Sequence, residues 1–200
     1  MPQSRLSRRQ ENAAATRDGL LETARELFGK RGFAAVGIEE IAARAGVTTG
    51  ALYHHFGSKR ALFRAVFDAL EAEQMERSIA VGSGYGDSWQ GLEAAIDATL
   101  DAGLAPEFRQ IALRDARTVL SASEWRTITD RYSFGRLRDA IEGFMESGMI
   151  APASSEMLAR ALISLIGELS VSVAEAKDTG SARRDAERLV RKILAALRAP

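Results

Sequence analysis

Thr48, Thr49, Gly50, Tyr53, His54, His55 and Lys59 crowd hydroxyls, a phenol, two imidazoles and an ammonium into one short stretch. No nucleophile–base set or metal cage accompanies them. The chain has no cysteine, and its two histidines are neighbours that would point about 100° apart on a helix, too divergent to hold one metal ion. What these groups share is hydrogen bonding. On the exposed face of a short helix they suit the base edges of a DNA groove and the phosphates beside it.

Such a face needs a turn and a helix to carry it. Gly46 tolerates the left-handed conformation that ends a preceding helix, and Thr48 offers a side-chain oxygen to cap the next one. A helix starting at Thr49 puts Thr49, Gly50, Tyr53 and His54 on one side and Ala51, Leu52, His55 and Phe56 on the other. This is a helix-turn-helix pattern. Upstream, Ile38, Ile41, Ala42 and Ala45 line one face of a second helix. Leu20, Ala24, Leu27 and Phe28 line a first, predicted from Thr16 to the break at Arg31-Gly32-Phe33. Ser58 caps a long fourth helix carrying Leu62, Phe63, Val66, Phe67 and Leu70.

The run Gly46-Val47-Thr48-Thr49-Gly50-Ala51-Leu52-Tyr53-His54-His55-Phe56-Gly57-Ser58-Lys59, preceded by Ile41-Ala42, closely resembles the DNA-binding signature of the TetR family of bacterial transcriptional regulators. At residue level the resemblance spans about residues 16–67. It implies that Thr48 and Thr49 open the recognition helix and that Gly50 admits a close backbone approach. Tyr53 and His54 would then contact phosphate or base, with His55 and Lys59 gripping phosphates from the flank. Arg5, Arg8, Arg9, Arg44 and Arg60 are weaker candidates; position 60 often carries an acid in the family. Another departure is Val36-Gly37 at the start of the second helix, where the family usually has hydroxyl residues, so a side-chain cap is missing there. The resemblance further implies a repressor that binds operator DNA as a homodimer and is released by a small-molecule effector.

The formal net charge is zero, but residues 1–60 hold ten Lys and Arg against six Asp and Glu, while the remainder holds seventeen against twenty-one. The basic end is the end with the helix-turn-helix. No stretch reads as the roughly 20 apolar residues of a membrane span, since the apolar run from Ala161 to Ala174 is interrupted by Glu168. A cytoplasmic protein with no membrane partner, no cofactor and no metal is therefore expected, and no catalytic residue is legible. The expected organisation is a flexible basic arm over 1–15, a DNA-binding unit over 16–60 and an effector-binding and dimerisation domain over 61–200.

The larger part is predicted all-α, giving about nine helices in the chain. Pro106 suits a helix start, Ser121 and Glu124 form a capping box, and Gly148 closes the helix that follows. Trp89, Phe108, Arg114, Asp115, Trp125, Tyr132, Phe144 and Glu168 are the candidates to line a ligand pocket. The last two helices carry apolar stripes of Leu158, Leu162, Leu165 and Leu169, and of Leu189, Ile193, Leu194 and Leu197, the expected dimer interface. Two other readings stay open. One is an architectural DNA-binding protein without an effector, which a solid core over residues 85–175 would favour; the other is an all-α enzyme whose N-terminal hairpin is only structural.

Overall fold

A computed structural model describes residues 8–199. Among them the chain forms nine helices and no strand beyond one isolated bridge between Ile150 and Arg198. The helices are α1 (Arg8–Arg31), α2 (Ile38–Arg44), α3 (Thr49–Phe56), α4 (Lys59–Ser83), α5 (Ser88–Ala102), α6 (106–119), α7 (122–146), α8 (Ser155–Glu175) and α9 (Thr179–Leu197). Two of them widen internally into π-helical turns, Arg109–Asp115 in α6 and Asp130–Phe134 in α7.

The caps follow local chemistry. Ser58, Asp87, Ser121, Ser154 and Asp178 each accept the backbone N–H three residues on, and Ser121 with Glu124 closes a full capping box. Gly37 caps α2 without a side-chain bond, as the Val36-Gly37 departure implies.

Helix α1 begins at Arg8 rather than Thr16, so residues 8–15 are helix and not a flexible arm. Asn12 to Ala15 bury nothing, but three consecutive alanines favour helix without packing, and Thr16 Oγ1 donates to the Asn12 carbonyl at 2.9 Å. Residues 1–7, Arg5 among them, and the side chain of Arg9 lie outside the described residues.

Two apolar clusters hold the fold. One gathers Leu20, Phe28, Ile41, Leu52, Phe63 and Phe67 of the first four helices with Phe108, Ile111 and Ile128 from α6 and α7. The other joins α5, the end of α7, α8 and α9 around Trp89, Leu100, Ile141, Leu162 and Leu194. Helix α4 thus runs from the DNA-binding unit into the larger part along one continuous apolar stripe.

Helix α8 corrects the reading that no stretch is long and apolar enough for a span: its mean hydropathy of 1.6 over an 18-residue window meets that test by length and composition, as the core helix of a soluble protein also can. Its serines and single glycine lower that mean too little to mask the Leu and Ile run. Only 33% of the window is buried inside the protomer. Leu162 and Leu194, expected in the interface, are instead 4% and 1% exposed within their own protomer. They sit on the inner faces of α8 and α9, whereas Met157 and Leu189 are exposed and Leu158, Leu165, Leu169, Ile193 and Leu197 half-buried.

Candidate nucleic-acid interface and ligand cavity

The turn before α3 is built as its residues dictate. Gly46 has φ +70°, a conformation that would strain any side chain, and its N–H donates to the Ala43 carbonyl at 3.1 Å. Thr48 Oγ1 then accepts the Ala51 N–H at 3.2 Å. Leu52 is fully buried and Ala51, His55 and Phe56 are half-buried, while Gly50, Tyr53 and His54 face solvent and Thr49 lies at the edge. A Cβ added at Gly50 would meet nothing nearer than Thr48 Oγ1 at 3.9 Å. The protein's own packing therefore does not require glycine there. Glu40 is turned aside onto Arg31.

The flanking cations are more committed than the sequence implies. Arg60 forks onto the Glu124 carboxylate and donates through Nε to the Val119 carbonyl at 3.0 Å, which ties the first turn of α4 to the α6–α7 junction. With the Ser121 donors, it holds the Glu124 carboxyl down at about 2. Arg60 thus acts as a strut, and the acid it meets is 64 residues away and invisible to local reading. Arg44 pairs with Glu26 at 2.9 Å. The Lys59 ammonium lies 4.2 Å from the Phe33 ring centre, and burial lowers its pKa against the opposing field of Asp115. Arg17, which sequence reasoning missed, brings its guanidinium within 5.1 Å of the Phe56 ring at the end of α3.

Two residue pairs, Arg25–Glu107 and Phe33–Asp115, strap the DNA-binding unit to α6. The Arg25 guanidinium reaches both Glu107 oxygens at 2.9 and 2.7 Å, and Glu73 at 2.6 Å. Asp115 accepts the Phe33 N–H at 2.7 Å just after α1 and the Gln110 amide at 3.1 Å. Phe33 itself packs on Phe28 and Phe63, with ring centres 5.7 and 5.2 Å apart.

The other side of the same α6 faces a partly open cavity of about 320 Å³, lined by α4, α5, α6, α7 and α8. Phe108, Ala112 and Leu113 come from α6, and both π-helical turns border the space. Of the expected pocket residues, Phe108 and Trp125 line it. The other six do not. Trp89 and Phe144 stack edge-on at 5.2 Å in the second core, because aromatic residues at helical spacing found each other across α5 and α7. Tyr132 donates its hydroxyl to Asp68 at 3.1 Å, Asp115 holds Phe33, and Arg114 is exposed. Glu168 is largely exposed and pairs with Arg117 at 3.5 Å.

Two family profiles match the chain. "Bacterial regulatory proteins, tetR family" covers residues 20–66, and "Tetracyclin repressor-like, C-terminal domain" covers 89–197. The Transposon Tn10 TetC protein of Escherichia coli is 27% identical over 149 residues, 74% of this chain and 75% of that protein. The crystal structure of a TetR-family transcriptional regulator from Pectobacterium atrosepticum superposes with a TM-score of 0.83 at 31% identity, over 98% of this chain and 99% of that one. RolR in complex with resorcinol shares the fold, with a TM-score of 0.71 at 18% identity over 90% of this chain and 89% of that one.

Proposed function

Since the chain belongs to the TetR family of bacterial regulatory proteins and is a DNA-binding transcriptional regulator, we propose that it is a cytoplasmic repressor that leaves its operator when a small molecule occupies the cavity. In this reading residues 16–60 form the DNA-binding unit and residues 61–200 bind effector and a second copy of the chain. Thr49 and His54 read or flank bases, Tyr53, His55 and Lys59 grip phosphates, and Gly50 lets the backbone close on the DNA. Thr48 holds the helix end in register. The apolar faces of α8 and α9 pair across a two-fold axis, which suits their exposed Met157 and Leu189.

The observation that carries ligand control is the double duty of α6. Its Phe108, Ala112 and Leu113 wall the cavity while its Glu107 and Asp115 meet Arg25 and Phe33 of the DNA-binding unit. A ligand that favours one position of α6 and α4 over another moves α3 with them. In a dimer that shift changes the separation of two recognition helices whose half-sites lie about 34–36 Å apart. A cavity of this size also argues against the architectural reading, and RolR's resorcinol supports a small-molecule occupant in this fold.

Linkage supplies the test. A compound that releases operator must bind the operator complex more weakly than the free protein by the same factor, roughly 5–150-fold. Calorimetric titrations with and without operator measure this, and equal affinities would reject induction through the cavity.

A further inference from the structure

Glu71, Gln74, Met75, Ser78 and Ile79 recur along α4 at the spacing of one helical stripe, and all five line the cavity. The neutral polar members are satisfied from within the protein. Gln74 donates to Ser78 Oγ at 3.1 Å and to the Ala98 carbonyl at 3.2 Å, and Ser78 shares a bond with Thr99 at 3.1 Å. Glu71 differs: among the described residues nothing donates to its carboxylate or pairs with it. It is the one carboxylate in a wall that is mostly apolar, with neutral Gln, Ser and Thr side chains and the two arginines Arg117 and Arg136 as its other polar members.

We propose that the cavity takes an organic cation with an apolar body, its positive centre neutralised by Glu71 and its body packed against Phe108 and Trp125. The class follows from the unfilled role: a half-buried carboxylate that faces an apolar space without a partner is costly to desolvate further, and a cation beside it offsets that cost. Aromatic faces add attraction for a cation and none for an anion.

The charges around Glu71 leave that role open. On its own helix Asp68 is engaged by Arg131 at 2.9 Å and by Tyr132 of α7, and Glu73 by Arg25 of α1 and by Arg77. From α6 and α7, Arg117 and Arg136 line the same cavity with exposed side chains, Arg117 already on Glu168. The α5 and α8 linings contribute no titratable group. Burial first, and Asp68 second, push the Glu71 carboxyl up to about 7. A cation binds the deprotonated form, so affinity should rise with pH up to that value and level off above it.

The proposal rests on the cavity being the effector site, and three probes of one shape separate the two ideas. Benzyltrimethylammonium, its carbon isostere neopentylbenzene and benzylsulfonate carry charges of +1, 0 and −1 on a benzyl body, and none titrates near neutral pH. Titrated against the full-length protein by tryptophan fluorescence, the cation should bind at least about tenfold more tightly than the isostere at pH 8. It should weaken by roughly tenfold at pH 6 while the isostere does not change. Glu71→Gln should lose both the preference and the pH dependence, and its unchanged affinity for neopentylbenzene would show the cavity intact. Tighter binding of the isostere or the sulfonate, or an unaltered cation affinity in Glu71→Gln, would overturn the cation class while leaving the cavity an effector site. Failure of all three probes to bind wild-type protein would overturn both.

Discussion

Leu165→Glu combined with Leu189→Glu should leave a folded monomer that has lost operator affinity by a factor on the order of 10³, about 4 kcal/mol. Both side chains keep solvent contact in the protomer, half-buried on α8 and 43% exposed on α9, so a carboxylate there costs the monomer little. Between two copies the same carboxylates would be desolvated against their images, and the pairing should fail. A monomer engages one half-site and forfeits the contacts of the other. Leu162→Glu makes the contrasting control: at 4% exposure within its own chain it should unfold the protein instead. Sedimentation separates the cases, and a dimer surviving the double change with operator affinity intact would place the interface elsewhere.

Glu71→Gln should stabilise the ligand-free protein, and only where the wild-type carboxyl is charged. Its folded pKa of about 7 lies above the ordinary glutamate value, so the native state holds a proton that the unfolded chain has already released. Stability is therefore lost as pH rises from about 4.5 to about 7 and is constant beyond. At about 1.4 kcal/mol per pH unit the full penalty is on the order of 3 kcal/mol. Urea unfolding of the two proteins should coincide near pH 4.5 and separate by that order at pH 8, with the variant the more stable. Curves that stay together at pH 8 would show that the carboxylate is solvated or paired.

What the sequence revealed was local, and what it hid was tertiary. Gly46, Thr48, Ser58 and the Ser121–Glu124 box act within a few residues, so the turn, the start of α3 and the caps could be read directly. The α3 faces followed from the helical period alone, and burial divides them as that period requires. Helix α1 was read short because Asn12 to Ala15 have no apolar face, and propensity without periodicity leaves no stripe to see. Leu162 went to the wrong side because α8 is apolar nearly all round, which conceals which face is inward, and Leu194 because the stripe of α9 packs with Ala186 and Val190 into its own protomer. The cavity needs five helices to exist, and its aromatic candidates were drawn off by Trp89 packing on Phe144. One sequence cue did point to it. Leu70, Gln74 and Ser78 continue the apolar stripe of α4 at spacings of four, so the buried face runs on into polar residues, and Glu71 stands beside them.

Selection of bound duplexes from a random pool, followed by titration of the winners at one salt concentration, tests the central claim most directly. The account predicts an inverted repeat whose half-site centres lie about 34–36 Å apart or a multiple of that, bound about 10³-fold or more tighter than its scrambled counterpart. Thr49→Ala should then shift preference at one position per half-site by about 1–3 kcal/mol, while Tyr53→Phe weakens all sequences alike. Enrichment of no inverted repeat, with equal affinity for scrambled duplex and unchanged preferences in Thr49→Ala, would contradict it.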